Sequence, residues 1–307
     1  MKKILHGILS ALLHGMARLP FWTLYAISDV LYFVVCYVVR YRKKMVVKNL
    51  RESFPEKGEK EVRKIAHEFY RNFTDYIVET IKLLHISDEE MKKHFVIEGA
   101  DIADRLFAQN KSVVAYFSHC FNWEYATSFG LWSSHPIYMG KGEAKPGDVA
   151  FCWIYRPLKD KWFDALMLKA RGNYGISVAK KETLRFLLGL RREGILSITG
   201  FMSDQKPSHG DPTEVVTFLN HPTAMITGTE TLMRRLGMAA VYFDLYKLKR
   251  GRYKMIVRLI CDDPNEYPVM GITRRYAEML EETIRRNPAI WLWSHNRWKI
   301  PVTLPQQ

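Results

Sequence analysis

Several common devices are missing from these 307 residues. The four cysteines, Cys36, Cys120, Cys152 and Cys261, are scattered and form no CxxC pair. That argues against a zinc framework or a disulfide scaffold and fits reduced thiols facing the cytosol. The ten histidines form no ligand cluster, so no metal is expected. Zinc-finger spacing, RNP-type motifs and basic recognition helices are also missing, so nucleic acid is not an expected partner. There is no internal repeat and no low-complexity segment. Acidic residues are in short supply: 32 against 46 Lys and Arg, a net charge of +14 with His neutral. Such an excess suits an anionic partner, whether nucleic acid, anionic lipid, phosphorylated substrate or acidic carrier protein, or else a solubilising surface. What the chain has in quantity is apolar matter, 48% hydrophobic and 13% aromatic. That is enough for a full core in one large domain or two modest ones.

The most hydrophobic region is 4–39. Within it, Phe21 to Val39 carries one charge, Asp29. At 1.5 Å per residue this stretch can cross the roughly 30 Å of hydrocarbon in a bilayer. Asp29 would oppose insertion by about 2.5–3.5 kcal/mol. Two readings therefore stand: a spanning helix, or a helix packed on the domain or lying in the membrane interface. There is no signal-peptide cleavage pattern, and His6, His14 and Arg18 interrupt the earlier apolar run. Arg40, Arg42, Lys43, Lys44, Lys48 and Arg51 follow the stretch, whereas only Lys2, Lys3 and Arg18 precede it. The positive-inside rule then puts the body of the protein on the cytoplasmic side. Residues 1–52 are expected to form a membrane anchor with a basic segment, and 53–307 the catalytic domain, the two divided near the Phe54-Pro55-Glu56-Lys57-Gly58 break.

Beyond that break the pattern alternates. Helical spacing predicts a helix over 60–84, and Ser87-Asp-Glu-Glu90 resembles a capping box. Short strands are expected at 95–98, 113–118, 135–139, 152–155, 176–179, 195–201 and 215–219. Helices are expected at 123–132, 159–171, 182–192, 227–236 and 272–286. A β-hairpin is expected over 239–261, turning at Arg250-Gly251. Alternation of this kind implies an α/β fold with a largely parallel central sheet flanked by helices, and a site beyond the carboxyl ends of its strands.

His119 stands there. The run Val113-Val-Ala-Tyr-Phe-Ser118 ends in His119-Cys-Phe-Asn-Trp-Glu124. The His-x4-acid spacing is weak by itself, because it also occurs at His85/Glu90 and His209/Glu214. Only His119 follows a buried strand, and only its carboxylate opens a helix. Imidazole, with an ordinary pKa near 6.5, can take a proton from an attacking hydroxyl at neutral pH. A carboxylate on the other ring nitrogen fixes the tautomer. Cys120 is a poor nucleophile candidate, since neighbouring strand residues point to opposite faces. The plain alternative is a satisfied histidine at a strand end.

His119-Cys-Phe-Asn-Trp-Glu124 resembles the His-x4-Asp/Glu signature of the lysophospholipid acyltransferase superfamily, and most of all its lipid A biosynthesis acyltransferase branch of lauroyl/myristoyl type. Three later segments are similar to that branch, in order: Tyr155-Arg156-Pro157-Leu158 with Phe163-Asp164, Phe201-Met-Ser-Asp204-Gln205, and Trp291-Leu-Trp-Ser-His-Asn-Arg297-Trp298-Lys299. The stretch Met139 to Asp148 departs from the pattern by its length.

The resemblance implies transfer of a fatty acyl chain from an acyl carrier protein or coenzyme A thioester to a hydroxyl of a lipid A precursor. It implies His119 as base with Glu124 as its orienting partner, at the cell inner membrane and its anionic surface. Arg156 would stabilise the oxyanion or hold a phosphate; surface ion pairing is the other reading. Asp204 and Arg297 would belong to the acceptor site, although Asp204 also suits an Asx-type turn. Trp291, Trp293 and Trp298 would line the site or serve as core or membrane-interface residues. No cofactor is expected beyond the donor thioester. A lysophospholipid, aminolipid or glycosylated inositol lipid would serve the same chemistry as acceptor. A non-enzymatic basic protein binding nucleic acid or anionic membrane is the remaining alternative.

Overall fold

The computed structural model describes residues 2–304. Three helices open the chain: α1 (Lys2–Arg18), α2 (Phe21–Phe33), which runs on as a π-helical turn over Val34–Val38, and α3 (Lys43–Ser53). The long α4 (Glu59–Lys82) buries Val62, Ile65, Ala66, Phe69 and Tyr70 at helical spacing. Next come α5 (Asp88–His94), β1 (Phe95–Glu98) and α6 (Asp101–Ala108). Ser87 caps α5, accepting from the Glu90 N–H at 3.1 Å.

The sheet elements follow as β2 (Val113–Phe117), β3 (Ile137–Tyr138), β4 (Val149–Tyr155), α7 (Lys161–Arg171), β5 (Ile176–Ala179), α8 (Thr183–Arg192) and β6 (Leu196–Met202). The chain then forms β7 (Thr213–Phe218), β8 (His221–Ile226), α9 (Gly228–Leu236), β9 (Ala239–Lys249), β10 (Arg252–Cys261) and α10 (Gly271–Arg286). Eight strands make one sheet in the order β1-β10-β9-β2-β6-β4-β3, with β5 also on β4. Every pairing in it is parallel except the β9–β10 hairpin. β2 lies in the middle and every one of its residues is buried, which accounts for its unbroken apolar run. β7 and β8 form a separate hairpin.

Some elements differ from the sequence reading. Residues 123–132 form a 3₁₀ run rather than an α-helix. β8, α3 and α6 were not foreseen. The β7–β8 turn is Leu219-Asn220, both at positive φ, so the type I′ turn is made without the usual Asn-Gly pair.

The opening helices are not detached from the rest. Ala17, Cys36, Val46 and Leu50 belong to the same core as the sheet. Asp29 is matched by Arg250 at the β9–β10 turn, with Oδ1 2.8 Å from Nη2. The same guanidinium binds buried Asp75 of α4 at 2.7 Å, and Ser28 Oγ donates to Asp75 at 2.7 Å. Gly251 at positive φ lies so close to the Tyr25 hydroxyl that a Cβ there would collide with it. Thus the single charge in the apolar stretch docks α2 on the domain. The outer side of α1 and α2 exposes Ile4, Leu5, Ile8, Leu12, Trp22, Val30 and Phe33. By length and composition, Phe21–Val38 could also cross a membrane.

Candidate active site

The parallel register of β2 and β6 builds the centre of the site. Phe117 stands opposite Met202. Two residues beyond each strand stand His119 and Asp204, so strand pairing alone brings imidazole and carboxylate together. His119 Nδ1 lies 2.8 Å from Asp204 Oδ1, and the His119 backbone N–H donates to Oδ2 at 3.0 Å. The Trp291 indole donates to the same Oδ2 at 2.9 Å.

Asp204 is 1% exposed. Burial alone would raise its carboxyl, but the His119 charge and these three hydrogen bonds outweigh it and hold the group down at about 2. Asp204 is therefore ionised at neutral pH and can only accept hydrogen bonds. Its partner Nδ1 then carries the proton, and in neutral imidazole Nε2 keeps the basic lone pair.

The tryptophan-rich C-terminus braces this pair. Phe121 N–H donates to Ile290 O at 2.8 Å, and Cys120 bridges to Trp291. His295 Nε2 accepts the Lys206 N–H at 3.1 Å. Burial pushes the His295 imidazole down to about 4, so it is neutral and suited to accept.

A cavity of about 870 Å³ opens at His119. Its apolar wall comes from three helices: Leu13 of α1, Ile77 and Ile81 of α4, and Phe163, Leu166 and Met167 of α7. Trp123 lies edge-on to His119 with ring centroids 5.1 Å apart, and Trp153 and Arg156 also line the cavity. Arg156 follows β4 directly and donates to Ser208 Oγ at 3.2 Å. Among the described residues it makes no ion pair.

Glu124 requires a correction. Its carboxylate was expected on the imidazole, yet Asp204 occupies Nδ1. Glu124 is buried and takes Arg171 at the end of α7 through two hydrogen bonds, 2.7 and 2.5 Å. The Trp123 indole adds a third at 3.0 Å. The physical reason is that a buried carboxylate needs a charge partner, and α7 delivers a guanidinium to it. Glu124 still lines the same cavity.

Arg297 is also placed elsewhere than expected. It is 3% exposed, donates to Ala224 O at 2.6 Å, and lines a separate cavity of about 390 Å³ with Lys206 and Ser208. There it holds β8 against the C-terminal segment. Trp291 and Trp293 are buried, and Trp298 donates to Thr223 Oγ1 at 2.8 Å.

The other two spacings make no dyad. His85 contacts His14 at 2.8 Å, while Glu90 pairs with Lys82. His209 lies in an exposed turn, and Glu214 pairs with Arg274. Burial pushes the Cys120 thiol upward, which leaves it a poor nucleophile.

Sequence reasoning named Asp204 without its partner and missed Arg171 altogether. The equal offset of His119 and Asp204 from two buried strands was the available signal for the first. What the assembled groups can do is accept a proton at Nε2 beside a large cavity with an apolar wall.

Comparison with known proteins supplies the family. A family described as bacterial lipid A biosynthesis acyltransferase matches residues 3–300. Relatives include the lipid A biosynthesis palmitoleoyltransferase of Escherichia coli K12, 23% identical over 260 residues, which cover 84% of this chain and 79% of that one. The lipid A biosynthesis acyltransferase of Shigella flexneri matches with the same values. The E. coli K12 lauroyltransferase of lipid A biosynthesis is 22% identical over 287 residues, 92% of this chain and 87% of its own. With nearly its whole length matched, this chain belongs to the bacterial lipid A biosynthesis acyltransferases and is an acyltransferase.

Proposed function

We propose that the protein moves a fatty acyl chain from a carrier-protein or coenzyme A thioester to a hydroxyl of a lipid A precursor. His119 acts as general base and no acyl-enzyme forms. The observation that carries this reading is the His119–Asp204 pair at the head of an 870 Å³ cavity with an apolar wall. The acyl chain lies along that wall, between α1, α4 and α7. As the acceptor oxygen attacks the thioester carbonyl, its proton passes to His119 Nε2. Asp204 stabilises the imidazolium through Nδ1. Arg156 faces the oxyanion, and collapse of the tetrahedral intermediate expels the thiolate. His119 then returns the proton to sulfur, leaving an ester and a free thiol. This sequence needs no metal and no further cofactor.

The reading extends to the membrane. The exposed apolar side of α1 and α2 suits burial in the interface, with the basic residues after α2 toward anionic headgroups on the cytoplasmic side. A spanning α2 would have to break the Asp29–Arg250 and Ser28–Asp75 contacts, which supports the interfacial arrangement.

Purified protein given donor thioester and a lipid A precursor should form the ester, read by mass spectrometry. Lipids from a deletion strain should lack one secondary chain on lipid A. Intact lipid A with another lipid missing would reassign the acceptor, and full activity in His119→Ala protein would overturn the mechanism.

A further inference from the structure

A second large cavity, about 930 Å³, meets the first at Lys206. Six cationic side chains line it: Arg40, Arg42, Lys43, Lys44, Lys206 and Lys299. No carboxylate lines it, and none of the six makes an ion pair among the described residues. Like charges gathered around a concavity repel one another, so the arrangement is unfavourable until an anion enters. The backbone is committed to it as well. Arg40 and Arg42 both sit at positive φ, 53° and 50°, which non-glycine residues rarely adopt. The Arg42 guanidinium is fixed by Ser294 O at 2.9 Å, and the Tyr41 carbonyl between the two arginines accepts from Tyr70 at 2.6 Å.

Position narrows the ligand. Arg40 comes directly after the exposed apolar residues Val38 and Val39. At the other end Lys206 lines both cavities, stands two residues from Asp204, and is held by His295. The basic cavity therefore starts one residue after the exposed apolar run and shares Lys206 with the cavity that His119 lines. An acidic carrier protein would dock on a broad, flat surface, whereas a cavity of this volume suits a small headgroup. We infer that it binds a phosphate group of the lipid acceptor and so sets which hydroxyl meets His119. This rests on the proposed transfer to a lipid A precursor and adds that the precursor carries a phosphate.

The test compares the full-length protein with a Lys44→Glu/Lys299→Glu variant. A Lys92→Glu/Lys93→Glu variant controls for net charge on exposed α5. Calorimetry with inorganic pyrophosphate should show binding to wild type and control, and at least roughly tenfold weaker binding to the cavity variant, as loss of charge-assisted contacts implies. KM for the phosphorylated acceptor should rise by a similar factor in the cavity variant, with donor KM unchanged. Wild type given a dephosphorylated acceptor should show the same high KM. Equal pyrophosphate binding in all three proteins would overturn the assignment. A rise in donor KM alone would overturn it in favour of a carrier-protein surface. Weaker binding to phosphatidylglycerol vesicles with unchanged acceptor KM would overturn it in favour of bulk membrane headgroups. If wild type acylates no lipid A precursor, the proposed function fails, and the pyrophosphate comparison still decides the anion site.

Discussion

Asp204 and Glu124 are both buried carboxylates near one histidine, yet replacing them should fail in different ways. Asp204→Asn keeps the shape but cannot balance an imidazolium, and its amide can present an N–H to Nδ1. Turnover should fall by roughly 10³–10⁴, with a small change in melting temperature. Glu124→Gln leaves the Arg171 guanidinium, which is 19% exposed, without its carboxylate. That should cost about 3 kcal/mol of stability. Thermal melts beside single-turnover rates separate the two. An inactive Glu124→Gln protein with an unchanged melt would put Glu124 on the reaction itself. His119 was legible because a buried strand runs into it. Its partner was not, because Asp204 lies 85 positions away and only sheet register joins them. The nearer carboxylate drew the inference. Arg171 gave no signal, since a basic residue in the last turn of a helix is ordinary.

At the scale of elements, α4 joins the opening helices to the site. Asp75 and Glu79 lie one turn apart on it and face α2 and the β9–β10 hairpin. Glu79 accepts from Tyr25 at 3.0 Å and from Tyr253 at 3.1 Å. It also accepts at 3.0 Å from Asn122, inside the stretch that follows His119. Burial, only partly offset by these donors, raises its carboxyl to about 7. A folded pKa above the ordinary value of 4.5 means that folding takes up a proton between them. For this group, stability is greatest below about pH 4.5 and falls as pH climbs to about 7, by something on the order of 2–3 kcal/mol. Glu79→Gln imitates the protonated form and should flatten that slope, read as melting temperature from pH 5 to 7. Parallel slopes in the two proteins would refute the shift. Much of this layer was readable in the sequence. The strand at 176–179 and the β9–β10 hairpin followed from alternation and turn residues. The short α6 and the Leu219-Asn220 turn carry weak local signals, and the 3₁₀ run at 123–132 shows a tertiary override. Its Glu124 is drawn to Arg171, and eight of its ten residues are buried.

For the whole molecule, the governing feature is that one side is apolar where a soluble enzyme would be polar. Trp22, Val30 and Phe33 project outward from α2, while Tyr25, Ser28 and Asp29 hold its other side to the domain. The hydrophobic stretch was plain in the sequence. Its orientation was not, because it depends on an aspartate finding an arginine 221 residues away. Burying large apolar side chains in lipid is worth about 1.5–3 kcal/mol each. Trp22→Asp/Phe33→Asp should therefore weaken partition into phosphatidylglycerol vesicles by at least roughly tenfold. Both side chains point away from the core, so the melting temperature should hold. The Arg250→Ala variant makes the opposite case: it leaves Asp75 buried with a weaker partner in Lys247 at 3.8 Å and frees α2. It should lower stability and expose residues 19–42 to protease, with the outer face chemically intact. Alkaline extraction then distinguishes the two arrangements of the helix. An interfacial protein docked through Arg250 is released from vesicles at high pH. Retention after extraction, together with protease-resistant residues 21–38 in the Arg250→Ala variant, would mean that the segment crosses the bilayer and leaves its contacts on α4 to do so.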